Sequence, residues 1–60
     1  MNQNIPKDPV MLLSFVNTQL RDFYPSLDEC CAALGIEETE LAEKLAAIDY
    51  FYDSETNQFK

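Results

Sequence analysis

Four residues that interrupt helices, Pro6, Pro9, Pro25 and Gly35, decide most of what this chain can become. Proline has no N–H to give a helix interior, and glycine enters the left-handed conformation that closes a helix without steric penalty. Ile5-Pro6 therefore reads as extended chain. Asp8-Pro9 is a helix start, because the aspartate can accept from free amides and proline suits the first helical position. The spacing predicts a first helix over 9–23, ending before Pro25. Ser26-Leu27-Asp28-Glu29 matches a capping box and predicts a second helix over 26–34. Gly35 stops it, and Ile36 is expected to fold back onto it. A third helix follows over 38–48, its start near Glu37 or Glu38, whose acids suit the positive helix end. From Tyr50 onward the chemistry changes to strand, turn and strand, predicting a hairpin over 50–60. Residues 1–8 form a partly extended tail, and 9–60 form one small domain.

Helical periodicity assigns faces to these segments. Leu12, Leu13, Val16, Leu20 and Phe23 make one stripe of the first helix, and Leu41, Leu45 and Ile48 make the stripe of the third. Met11 and Phe15 fall on a second apolar face of the first helix. That pair either packs under the hairpin or stays exposed as a contact patch. Glu40 and Lys44 are spaced as a supportive exposed ion pair. Phe23, Tyr24, Tyr50, Phe51, Tyr52 and Phe59 are expected to seal a small core. An isolated hairpin is marginal, so this one must lean on the helices, with Asn4-Ile5 as a candidate third strand.

The segment from Leu27 to Leu45 resembles a helix-turn-helix. Cys31 is a small residue four before Gly35, apolar Leu34 and Ile36 flank the glycine, and Leu41 and Leu45 lie in the next helix. Cys31 and Gly35 are expected to let the two helices approach closely. With a helix before and a hairpin after, the order is similar to a minimal winged helix. The fold class is thus mainly α, a three-helix helix-turn-helix-like core followed by a short C-terminal β-hairpin. A second likeness spans nearly the whole chain. It rests on the run Ile5 to Ser14, on Val16-Asn17-Thr18 and Leu20-Arg21-Asp22, and on Glu43-Lys44-Leu45, Tyr50, Tyr52-Asp53 and Asn57-Gln58-Phe59. In these strings the chain resembles the short bacterial proteins grouped as domain-of-unknown-function family 4250. The resemblance implies a bacterial, cytoplasmic protein. It carries no activity over, and so no functional residue.

Charge and residue types exclude more than they assign. The formal net charge is −7, and all of it lies in residues 26–60, where only Lys44 and Lys60 oppose the acids. Nucleic-acid affinity comes largely from cations meeting phosphates. The early third helix, where a reader of this type makes its contacts, carries Glu37, Glu38, Thr39, Ala42 and Glu43. There is no histidine, so Ser14, Ser26 and Ser54 lack the usual activating base, and no tetrahedral metal site can be assembled around Cys30 and Cys31. Adjacent cysteines cannot staple distant segments, and with no signal peptide they are expected to be reduced thiols in the cytoplasm. No apolar run reaches the length of a membrane span. The carboxylates are more simply a solvated face than an acid–base pair. The expectation is a small acidic protein that is no enzyme and uses no cofactor. It would serve as a protein–protein interaction module on a helix-turn-helix-like scaffold. Its candidate partner surface is Met11, Phe15, Glu37, Glu38 and Glu43, facing an unidentified protein or a second copy in a weak homodimer. The alternative is a dimeric DNA-associated transcriptional regulator, and a third reading is an acidic mimic occupying a nucleic-acid-binding protein.

Overall fold

A computed structural model describes residues 5–60. Three helices and a short hairpin follow in chain order. Helix α1 spans Pro9–Asp22, and the Asp8 carboxylate accepts from the Met11 amide at 3.1 Å. Helix α2 spans Leu27–Leu34, with the Ser26 hydroxyl accepting from the Glu29 amide at 3.2 Å. Helix α3 spans Glu38–Ala46 and ends two residues before the expected boundary. Strands β1, Tyr52–Asp53, and β2, Gln58–Phe59, pair antiparallel with Tyr52 opposite Phe59. Phe51 and Lys60 exchange both backbone hydrogen bonds and lengthen the ladder by one pair.

Two helices close with the same left-handed device. Gly35 sits at φ +71°, and the Ile36 amide reaches back to the Cys31 carbonyl at 2.9 Å. Asp49 takes φ +67°, and the Tyr50 amide reaches the Leu45 carbonyl at 2.9 Å. An aspartate here fills the role usually given to glycine, and α3 is shorter than the sequence predicts because its last turn tightens, the Ile48 and Asp49 amides donating to the Leu45 and Ala46 carbonyls three residues back. Gly35 itself differs from expectation. A methyl group at its Cα would meet nothing within 4 Å, so the glycine is needed for its backbone angle and not for close helix contact. Gly35→Val is accordingly expected to lower stability by about 2–3 kcal/mol through backbone strain alone. Asp49→Gly, at a position of the same handedness, is expected to be neutral or to stabilise by up to about 1 kcal/mol. Urea titrations of both variants check the pair, and a loss on Asp49→Gly would contradict it.

The core is one cluster in which α1 packs against α2, α3 and β2. Leu12, Val16 and Leu20 of α1 meet Leu27, Cys30 and Cys31 of α2, Leu41 and Leu45 of α3, and Phe59 of the hairpin. Ile5, Leu13, Phe15, Tyr24, Leu34, Ile36, Ile48 and Tyr52 close over it. Phe23, expected on the buried stripe of α1, is 68% exposed. The helix ends at Asp22, and Phe23 leaves helical geometry at φ −127°, which turns it away from the stripe and leaves Tyr24 to pack instead. Tyr50 and Phe51 are also exposed, so only Tyr24, Tyr52 and Phe59 of the six aromatics seal the core. Tyr52 and Phe59 face each other as cross-strand partners, ring centres 5.6 Å apart and tilted by 55°. Among the described residues the ion pairs are Arg21–Asp22 and Lys60–Asp53. Glu40 and Lys44 form none, in keeping with the small gain two solvated side chains obtain from pairing.

Asn4 lies outside the described residues, and Ile5 packs on the core without joining a strand. The outer edge of β2 is met by a side chain. Because Tyr52 and Phe59 form a non-hydrogen-bonded pair, the Phe59 amide and carbonyl point away from β1. The Asn17 side chain takes both: its Oδ1 accepts from the Phe59 amide at 2.8 Å, and its Nδ2 donates to the Phe59 carbonyl at 3.0 Å. One amide group on a helix thus mimics the edge of a neighbouring strand. It fastens the hairpin to α1 with no third strand at that edge among the described residues.

Candidate functional site

Asn57 makes the second fastening, at the turn. It takes φ +56°, a conformation that asparagine tolerates better than most residues. Its Nδ2 donates to the Leu20 carbonyl at 3.1 Å and to the Tyr24 carbonyl at 3.0 Å, at the C-terminal end of α1. Its Oδ1 accepts from the Tyr52 hydroxyl at 2.7 Å. That hydroxyl in turn accepts from the Leu27 amide, a free donor in the first turn of α2, at 3.2 Å. The hairpin therefore ties the end of one helix to the start of the next. Asp53 stiffens the turn, accepting from the Glu55 amide and the Thr56 hydroxyl. The Lys60 ammonium, with these donors, holds the Asp53 carboxyl below its ordinary range.

These bonds bear on any site between α1 and the hairpin. An open groove of about 740 Å³ runs there, lined by Val10, Leu13, Asn17, Arg21, Tyr50 and Gln58 among others. Two of its three amide side chains, Asn17 and Asn57, are already committed to the backbone, and the Arg21 guanidinium lies against Asp22 at 2.9 Å. Three of the polar side chains that line it are thus held by the protein itself.

The cysteines are structural. Cys30 is fully buried and Cys31 is 4% exposed. Both thiols are free. Burial raises the Cys30 thiol above its ordinary range. Cys31 is raised from 9.0 to about 11, chiefly by burial and then by Cys30, Glu38 and Asp28. At pH 8 that shift alone lowers the thiolate fraction about a hundredfold, so labelling by an aromatic disulfide is expected to be at least that much slower in the native protein than in urea. Folding keeps this thiol neutral, so the folded state is fully favoured below pH 9 and loses that advantage between 9 and about 11. Rapid native labelling would contradict the assignment. Among the described residues no three Cys, Asp or Glu side chains gather where a metal could be held. No helix among them is long and apolar enough to cross a membrane.

The candidate partner residues are placed unequally. Met11 is 62% exposed beside Val10, whereas Phe15 is half-buried against the core, so the pair does not form one open patch. Glu37, just before α3, and Glu38 and Glu43 on it are exposed. Glu38 and Glu43 border an open groove of about 390 Å³ whose other lining residues are Thr39, Ala42, Ala46 and Phe51. Phe51, at 59% exposure, forms its wall from the hairpin side. Strand alternation sets Phe51 on the face opposite Tyr52 but does not say which of the two faces is buried. Arg21 and Lys60, two of the four cations, each lie against an aspartate.

The fold is a three-helix core locked by a side-chain-docked hairpin, and its most distinctive surface is the acidic, partly apolar face of α3. The chain belongs to the family described as Domain of unknown function (DUF4250), which matches residues 6–59. No curated protein and no solved structure matches it. Of the residues that carry the family likeness in the sequence, Asn17, Tyr52, Asn57 and Phe59 prove to be those that dock the hairpin.

Proposed function

We propose that this protein is a non-catalytic protein–protein interaction module whose contact surface is the outer face of α3 together with Phe51. The observation that carries this reading is Phe51 itself. A large aromatic side chain stands 59% exposed over a groove floored by small residues, in a domain with little apolar area to spare. Aromatic anchors set in such depressions are the usual energetic centres of interfaces. Both this groove and the larger one beside α1 are open and enclose no substrate, so binding without chemistry is the simpler use. The acidic rim disfavours a DNA-reading role for α3, since phosphates would meet Glu37, Glu38 and Glu43 where such a helix needs cations.

A photo-crosslinking amino acid placed at Phe51 is expected to give discrete protein adducts in the native cell. The same group at Ala33, exposed on α2, is expected to give none. Equal adducts from both positions, or none from position 51, would remove the proposal.

A further inference from the structure

We infer that the α3 groove receives a basic amphipathic helix, one that sets an apolar stripe against Ala42, Ala46 and Phe51 and holds lysine or arginine beside Glu38 and Glu43. The inference rests on the interaction reading and names the chemistry of the partner. Three features of the groove point to it.

The first is shape. Its lining from α3 follows one helical face, with Glu38, Ala42 and Ala46 a turn apart and Thr39 and Glu43 beside them. The lining residues of α3 extend over about 12 Å along the axis, enough for two turns of a second helix lying alongside. Alanines one turn apart leave room for a partner's larger apolar side chains between Phe51 and the helix backbone.

The second is charge. The groove has two carboxylates and no cation in its lining. Lys44, the cation of α3, lies on the other side of the helix among Pro6, Leu12, Ile36 and Glu40. The helix is thus divided lengthwise, with its acids unopposed on the groove side. The net charge of −7 extends this bias to the whole molecule and favours encounters with a basic surface.

The third is what the charge forbids. Two copies joined groove to groove about a two-fold axis would gather four carboxylates in one interface with no cation from either lining, so a second copy is a poor occupant of this face. Duplex nucleic acid is repelled for the same reason.

The test uses the isotopically labelled 60-residue protein and three synthetic helical peptides. They share one leucine–alanine stripe and differ only at solvent-facing positions, which carry Lys, Gln or Glu. The Lys peptide is expected to shift the backbone resonances of Thr39, Ala42, Ala46 and Phe51 and to bind about tenfold more tightly than the Gln peptide, with the difference falling as salt is added. The Glu peptide is expected not to bind. Glu38→Gln with Glu43→Gln should abolish the preference for Lys while binding of the Gln peptide persists. Phe51→Ser should remove both, with an unchanged helical spectrum and melt showing that the fold is intact. Equal binding by the Lys and Gln peptides would overturn the basic partner while leaving an apolar docking face in place. Shifts centred on Val10 and Met11, or no binding by any peptide, would overturn the face as well.

Discussion

Asn57→Ala is expected to lower the thermal midpoint by about 15–30 °C, the largest effect of any single substitution outside the apolar core. The side chain makes three hydrogen bonds, to the carbonyls of Leu20 and Tyr24 and to the Tyr52 hydroxyl. Removing it leaves two part-buried carbonyls at the end of α1 without this donor and frees the Tyr52 ring to lose its grip on the Leu27 amide. Stranded polar groups of this kind cost about 1–3 kcal/mol each, less where water can reach them. Alanine at φ +56° adds about 1–2 kcal/mol of backbone strain. Together they approach the whole stability of a 60-residue domain, about 3–9 kcal/mol. Asn57→Gly separates the two contributions, because it relieves the backbone while still deleting the bonds. A melt of Asn57→Gly close to the parent would mean that the hydrogen bonds hold nothing together.

Asn17→Asp is expected to be the second most damaging change, and its effect should depend on pH. The substitution keeps an oxygen for the Phe59 amide but replaces the donor to the Phe59 carbonyl with a second oxygen. A carboxylate facing a carbonyl is repelled, and the loss should be about 2–3 kcal/mol at neutral pH. A protonated carboxyl can donate where the amide did. The folded state therefore raises the pKa of the new acid above its unfolded value. The variant recovers stability below the unfolded pKa near 4 and loses it as pH rises through the folded one. Asn17→Ala should be destabilised to a similar degree without this recovery. Urea denaturation of both variants at pH 4 and pH 7 distinguishes them, with the parent as reference for its own acid sensitivity, which includes the Asp53–Lys60 pair. Parallel losses at both pH values would show that Asn17 merely fills space.

Both residues belong to strings that mark the family in sequence, Val16-Asn17-Thr18 and Asn57-Gln58-Phe59, and a sequence reading can single them out without explaining them. Helix starts are different. Asp8 and Ser26 cap amides only three residues away, so their roles follow from local spacing. The stop at Gly35 is legible for the same reason. The stop at Asp49 is less so, since an aspartate serves equally well in a turn or at a helix start. Phe23 shows the limit of periodicity: the pattern is right only while the helix lasts, and one residue beyond Asp22 the side chain points elsewhere. In the candidate interaction surface, Glu38 and Glu43 are apparent from charge alone, while Phe51, the residue that gives the groove a wall, is not.

The sequence by itself determined where the helices begin, where α2 ends, which leucines face inward, and that cations are few and outnumbered by acids. Each of these depends on contacts within a turn or two of chain, or on a sum over residues. Only the tertiary structure decided which aromatics are core and which are surface, how the hairpin is held, and where the acids of α3 meet apolar ground. Asn17 meets Phe59 across 42 residues and Asn57 meets Tyr24 across 33. An amide side chain can satisfy a turn, a cap or a strand edge equally well. The choice among them is made when packing of Leu12, Val16 and Leu20 brings a particular edge within hydrogen-bonding reach, and no local pattern encodes that distance.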